Sequence, residues 1–147
     1  MTRKKVKNND VADYVLADQI GHILRKASQR HSTIFSTAIP SGLTPTRFAA
    51  LVVLYQKETL SQNELGRATS MDVATIKGVV DRLNVRGLVT VKADPNDARR
   101  KLIRLTEQGK KTIAAAISVG IEISETTLAQ LTPTEQSTLT ELLNKII

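Results

Sequence analysis

A change of period at Gly87 constrains this chain more than any other feature. Over residues 72–86 apolar side chains recur at helical spacing, with Val73, Ile76, Val79, Val80 and Leu83 expected on one buried face. Gly87 suits the left-handed position that closes a helix. Residues 88–91 and 101–105 then read as short strands, and Asp94-Pro95-Asn96-Asp97 between them is strong turn chemistry. The reading is a helix that runs straight into a β-hairpin with a polar, arginine-tipped loop.

Helix-start signals surround this unit. Ser61-Gln62-Asn63-Glu64 is a capping box that opens a short helix ending near residues 68–70. Thr44-Pro45 places an N-cap before a first-turn proline, starting a helix through Phe48, Leu51, Val52 and Tyr55. Farther upstream, apolar residues from Val11 to Ile39 predict one long amphipathic helix, ended by Pro40 and Gly42. Downstream, Thr106 caps a helix whose stripe is expected at positions 113, 117, 121, 124, 128 and 131. Thr132-Pro133-Thr134-Glu135 is a second capping box, and it launches a last helix through Leu139, Leu142, Leu143, Ile146 and Ile147.

The fold class is therefore mainly α with a small β-wing. A winged helix-turn-helix lobe at residues 44–105 is flanked by helices at 10–39 and 107–147, all in one domain. The apolar stripes of the two flanks could complete a monomer core. Their pairing at both chain ends favours a subunit interface instead, with Val11, Val15, Leu16, Ile20, Leu128, Leu139, Leu142, Leu143 and Ile146 as the dimerisation residues.

Charge is unevenly spread over the 147 residues. Residues 67–111 hold eleven Lys and Arg against five Asp and Glu, whereas residues 112–147 hold one against four. A basic middle on a near-neutral scaffold suits a polyanion, although a solvated basic surface has the same composition. In a helix-turn-helix the second helix enters the major groove and presents its N-terminal side chains to base edges. Here those are Asp72, Ala74, Thr75, Lys77 and Gly78, with Arg82 farther along and Ser70 in the preceding turn. The short residues let the helix backbone approach the bases, while Lys77 and Arg82 supply donors for guanines or phosphates.

The sequence resembles the MarR family of bacterial regulators. The resemblance rests on Leu43-Thr44-Pro45-Thr46-Arg47-Phe48, Ser61-Gln62-Asn63-Glu64-Leu65-Gly66 and Val79-Val80-Asp81-Arg82-Leu83 with Gly87-Leu88-Val89. It continues through Asp94-Pro95-Asn96-Asp97-Ala98-Arg99-Arg100 and Leu105-Thr106-Glu107-Gln108-Gly109. It implies a two-fold dimer with intertwined terminal helices and two winged modules on successive half-sites of double-stranded DNA. It also implies a repressor released by a small phenolic or aromatic-acid ligand seated between the dimerisation helices and the DNA-binding lobe. In the family's wing an Asp two residues before an Arg orients that Arg into the minor groove, and Asp97 and Arg99 match this pair. Thr90 and Asp72 depart from the family's usual residues, which bears on base preference rather than fold.

The wing also has a physical case of its own. A narrow minor groove concentrates negative potential, and an arginine on a hairpin can reach into it. Arg99, Arg100 and Lys101 are consecutive, so strand alternation would keep them from sharing one groove. Arg99 is assigned to the groove and Arg100 or Lys101 to phosphate. The bland alternative is a solubilising turn with a surface Asp97–Arg99 ion pair.

His22 and His31 are the two histidines, and at nine residues apart on one helix they lie about 180° apart, so they cannot chelate one metal. With no cysteine, metal cluster, phosphate-cradling glycine loop or carboxylate dyad, neither an enzyme nor a cofactor is expected. The donors His22, Arg25 and His31 could instead meet an anionic effector, with Phe35 and Phe48 as walls. They could equally be ordinary polar-face and core residues. The run resembles family members tied to aromatic or pyridine-carboxylate catabolism.

No stretch approaches the ~20 apolar residues that span a bilayer, and polar residues follow the basic N-terminus where a signal peptide needs an apolar run, so a cytoplasmic location away from membranes is expected. The rival function is a winged helix that binds only protein.

Overall fold

The computed structural model describes residues 13–147. Its elements are helices α1 (Ile20–Ala38) and α2 (Pro45–Lys57), strand β1 (Thr59–Ser61), and helices α3 (Gln62–Ala68) and α4 (Val73–Val85). Strands β2 (Val89–Asp94) and β3 (Asp97–Leu105) follow, then helices α5 (Glu107–Leu128) and α6 (Pro133–Asn144). The long helix expected from Val11 is shorter than its periodicity suggested. A single 3₁₀ turn at Leu16–Asp18 precedes it, Gln19 is extended, and α1 begins at Ile20. Val11 itself lies outside the described residues, as does the basic N-terminal segment.

The caps explain where the helices begin. Thr44, Ser61, Asp72, Thr106 and Thr132 each accept a backbone N–H from three residues on, and both Ser61–Glu64 and Thr132–Glu135 close full capping boxes. Gly87 has φ +70°, the left-handed closure expected of it. Val73 is a correction, because it is 69% exposed at the first turn of α4 while Ile76, Val79, Val80 and Leu83 are buried. At the start of a helix there is no preceding turn to shelter such a side chain.

The three strands form one antiparallel sheet in the order β1-β3-β2. Strand β1 is too short to read from sequence, and it pairs Leu60 with Ile103, which in turn faces Val91. Ile103 belongs to an aliphatic core with Leu51, Leu54, Leu65, Ile76, Leu83 and Ile113. The hairpin is longer than expected, with both strands running up to a two-residue turn at Pro95-Asn96. Register then shifts, since Ala93 faces Lys101 but Asp94 faces Asp97. Ala98, Arg99 and Arg100 are left without cross-strand partners in a bulge, which bends the hairpin there.

The wing and α5 are joined tightly. Thr106 Oγ1 donates to the Gly87 carbonyl at 2.6 Å and accepts the Gly109 N–H at 2.9 Å. Gly109 is required because an added Cβ would run into the Leu88 carbonyl. On α5 the buried line is Gly109, Ile113, Ala116 and Ile123, whereas Ile121 is exposed. Of the stripe expected at 113, 117, 121, 124, 128 and 131, Ile113 is buried and Ile117 packs against the core, while positions 121 and 124 are exposed and 128 and 131 half-buried. No residue of α6 is buried.

Candidate nucleic-acid interface

The turn between α3 and α4 sets the reading helix. Ser70 takes a left-handed φ of +55°, and Gly66 lets the helices meet closely, since a Cβ there would lie 3.1 Å from the Met71 carbonyl and 3.2 Å from Ile76 Cγ2. Asp72 Oδ1 accepts the Thr75 N–H at 2.7 Å, and that bond holds the carboxyl below the usual carboxylate range. Asp72 is therefore an ionised cap at the positive end of the helix.

Ala74, Thr75, Lys77, Gly78 and Arg82 are all exposed on α4. An added Cβ at Gly78 meets nothing within 4 Å, so nothing inside the protomer demands a glycine there. Lys77 Nζ pairs with Asp81 at 2.7 Å across one exposed helical turn. Such a pair contributes little and is readily exchanged for a phosphate.

Two concave surfaces flank α4. A cleft of about 290 Å³ brings Thr44, Thr46 and Arg47 at the N-terminus of α2 beside Ala74, Thr75, Gly78 and Arg82. A wider concavity of about 630 Å³ lies between α3, Lys77 and the wing. Its walls are Ser61, Gln62, Asn63, Glu64 and Arg67 on one side and Asp97, Arg99, Arg100 and Lys101 on the other. The expected separation of the three wing cations by strand alternation does not occur, because the bulge suspends alternation and all three line this one concavity.

Asp97 Oδ1 accepts the backbone N–H of Arg99 at 3.0 Å, shaping the chain beneath that arginine. Arg100 is occupied within the protomer, its Nη2 lying 2.8 Å from Glu64 Oε1. Glu64 also accepts the Ser61 N–H and hydroxyl, both at 2.8 Å, and the Ser61 backbone bond foremost draws its pKa down to about 2. Arg47, Arg67, Gln62 and Asn63 escaped the sequence reading. The signal was available at Arg47 and Gln62, which sit in the first turn of capped helices where phosphates bind.

None of the five candidate effector residues lines the clefts beside α4 or the groove between α1 and α5. His31 Nδ1 lies 2.9 Å from Thr127 Oγ1, which is also 2.8 Å from the Ile123 carbonyl. Phe35 is buried, its ring 6.5 Å from His31 and 5.6 Å from Phe48 in an edge-on contact. Arg25 Nη2 donates to His22 Nδ1 at 3.2 Å on an exposed stretch more than two turns earlier in α1. The groove between α1 and α5, of about 320 Å³, is lined by Thr33, Ile34, Thr37, Ala38, Glu122, Ile123 and Thr126, none of which sequence had suggested. Among the described residues no cluster of His, Asp or Glu could hold a metal ion, and no single helix is long and apolar enough to cross a membrane.

Helix, turn, reading helix and basic hairpin in this order define a winged helix-turn-helix protein. Comparison with known proteins places it more closely. A profile described as MarR family matches residues 41–100. The transcriptional repressor NicR of Pseudomonas putida is 40% identical over 139 residues, covering 94% of this chain and 88% of NicR. A probable transcriptional regulator from Pseudomonas aeruginosa superposes with a TM-score of 0.88 at 49% identity, over 90% of this chain and 100% of that one. Bordetella bronchiseptica BpsR, whose DNA binding is regulated by 6-hydroxynicotinic acid, gives 0.86 at 36% identity over 90% and 96%. An Escherichia coli MarR variant solved with operator DNA gives 0.80 at 25% identity over 87% and 93%.

The chain belongs to the MarR family and is a DNA-binding transcriptional regulator.

Proposed function

We propose that the protein acts as a homodimeric repressor, by binding alone and without catalysis. It grips a pseudo-palindromic operator and is released by a small aromatic acid. The observation that carries the DNA-binding part is the concavity between α4 and the wing, where Lys77, Arg67, Arg99 and Lys101 converge. Lys77, Thr75 and Arg82 read or flank the major groove, with Ala74 and Gly78 allowing close approach. Arg99 enters the minor groove, Lys101 meets phosphate, and Ser70, Asp72 and Asp97 shape the backbone beneath them. Residues 44–105 are the lobe, and 10–39 and 107–147 the dimerisation helices.

The dimer reading is supported by apolar side chains that are exposed among the described residues. Val15, Leu16 and Ile20 are exposed near one end, and Leu139, Leu142 and Ile146 near the other. Leu128 and Leu143 are half-buried beside them. A monomer leaving this much apolar surface in water loses roughly 25 cal/mol for each Å² it could bury. Two copies would set their reading helices about one helical turn apart, ~34–36 Å.

Similarity to BpsR favours a pyridine carboxylate as effector over other phenolic or aromatic acids. Such a ligand relieves repression only by preferring the dimer whose lobes are wrongly spaced, so its differential affinity limits induction. The test is a titration of promoter DNA from the protein's own gene, with and without 6-hydroxynicotinic acid. A steeply salt-dependent complex that the acid dissolves is the expected result. Binding insensitive to the acid would remove the effector assignment. A Leu142→Glu protein that remained dimeric in sedimentation would remove the interface.

A further inference from the structure

The wing's bulge leaves residues 98–100 outside the strand ladder, yet they must hold one attitude if Arg99 is to reach a groove. Something other than cross-strand hydrogen bonding has to fix them. Arg100 supplies the connection. Its Nη2 donates to Glu64 Oε1 at 2.8 Å while its Nε lies 3.9 Å from Asp94 Oδ2 at the hairpin turn. Glu64 is anchored in turn, its other oxygen taking the Ser61 N–H and hydroxyl. Ser61 closes β1 and caps α3, the helix that backs the reading helix. Among the described residues no other ion pair joins the hairpin to the helices.

Charge gives a second, independent argument. Glu64 shares a concave surface with the cations Arg67, Lys77, Arg99 and Lys101, and with a second acid, Asp97 of the wing. Left unpaired beside DNA, Glu64 would repel the phosphates that those cations attract. Paired with Arg100, it is neutral toward the duplex. While that pair holds, the Arg100 charge is offset by Glu64 and not by a phosphate.

We infer that Arg100 is a positioning residue. Through Glu64 it fixes the wing's tilt against α3, so that Arg99 and α4 reach their grooves together, and it does not itself hold DNA. The inference rests on the DNA-binding reading above. It differs in kind from an interface contact, and the difference is measurable.

Full-length Arg100→Ala, Glu64→Gln and the double variant would be titrated with operator DNA over a range of salt. Each single change should weaken binding about tenfold, and the double variant no further. The double variant, which removes both charges together, should keep the wild-type slope of log affinity against log salt. In the DNA-free protein both single variants should speed amide hydrogen exchange at residues 98–100. Thermal melting establishes that each variant is folded, and Gln at position 64 can still accept the Ser61 N–H.

A phosphate-binding Arg100 gives the opposite pattern. Its loss would flatten the double variant's salt slope by about 0.9, and Glu64→Gln would tighten binding by freeing the guanidinium. Either result overturns the inference. Wild-type protein that bound no duplex would instead defeat the DNA-binding reading. The exchange measurement would still decide whether Arg100 fixes the wing.

Discussion

The ring of Phe48 sits directly against Gly120, so close that a Cβ on the glycine would lie 2.6 Å from Phe48 Cζ. Phe48 belongs to α2 and the lobe, Gly120 to the long helix α5, and Phe35 of α1 packs edge-on against the same ring at 5.6 Å. At this point the lobe meets the terminal helices through an aromatic contact with no spare room. Gly120→Ala should lower stability, because overpacking costs about 1–3 kcal/mol against the ~1 kcal/mol that alanine gains in a helix. Urea unfolding at fixed protein concentration measures this. Adding Phe48→Leu to the same chain should recover part of the loss.

Gly78 should behave in the opposite way. It lies in the middle of α4 with open space where its side chain would be. Gly78→Ala should raise stability by about 0.5–1 kcal/mol through helix propensity. Operator affinity should fall at the same time, because the added methyl meets the bases. Unfolding and DNA titration on one preparation give both numbers. A variant that is more stable and binds equally well would remove Gly78 from the interface.

Arg99 and Lys77 should fail differently. Arg99→Ala should weaken operator binding about tenfold, most on A/T-rich flanks where the minor groove is narrow. Affinity within twofold of wild type would undo the wing assignment. Lys77→Ala should change which operator variants are preferred. Identical behaviour of the two proteins across a panel of variants would contradict this division.

The acid side of the stability profile should carry the mark of Glu64. Its pKa falls from the ordinary 4.5 to about 2, through the Ser61 bonds first and Arg100 after them. A depressed carboxylate stabilises the folded state in full above its unfolded value. That contribution shrinks as pH drops below about 4.5 and is gone once pH passes about 2. Asp72 and Glu135 are lowered by their own cap bonds and shift the profile the same way. Glu64→Gln should make stability less dependent on pH across this interval, as followed by thermal melting. An unchanged profile would mean that Glu64 is not held in its cap.

Local chemistry made much of this fold legible. Thr44, Ser61, Thr106 and Thr132 announced their helices because a cap needs only three neighbouring residues, and Gly87 announced a closure that its φ of +70° bears out. What sequence could not supply depends on distant partners. Strand β1 is three residues long and exists because Leu60 finds Ile103, far away in the chain. The bulge at residues 98–100 follows from a register set by both strands, so alternation misjudged where Arg99, Arg100 and Lys101 point. The Arg100–Glu64 contact was out of reach for the same reason, since the two residues lie 36 positions apart. Val73 had the right type for a core position but sits at a helix start that nothing covers.

Helix α6 has no buried residue within its own chain, and this bears on inheritance as well as folding. If its apolar face is satisfied only by another copy, subunits assemble without regard to whether their reading helices are sound. A chain lacking Arg99 and Lys77 but keeping α6 would draw normal chains into mixed pairs that hold a single half-site. Produced alongside the wild-type gene, such a defective allele would be dominant.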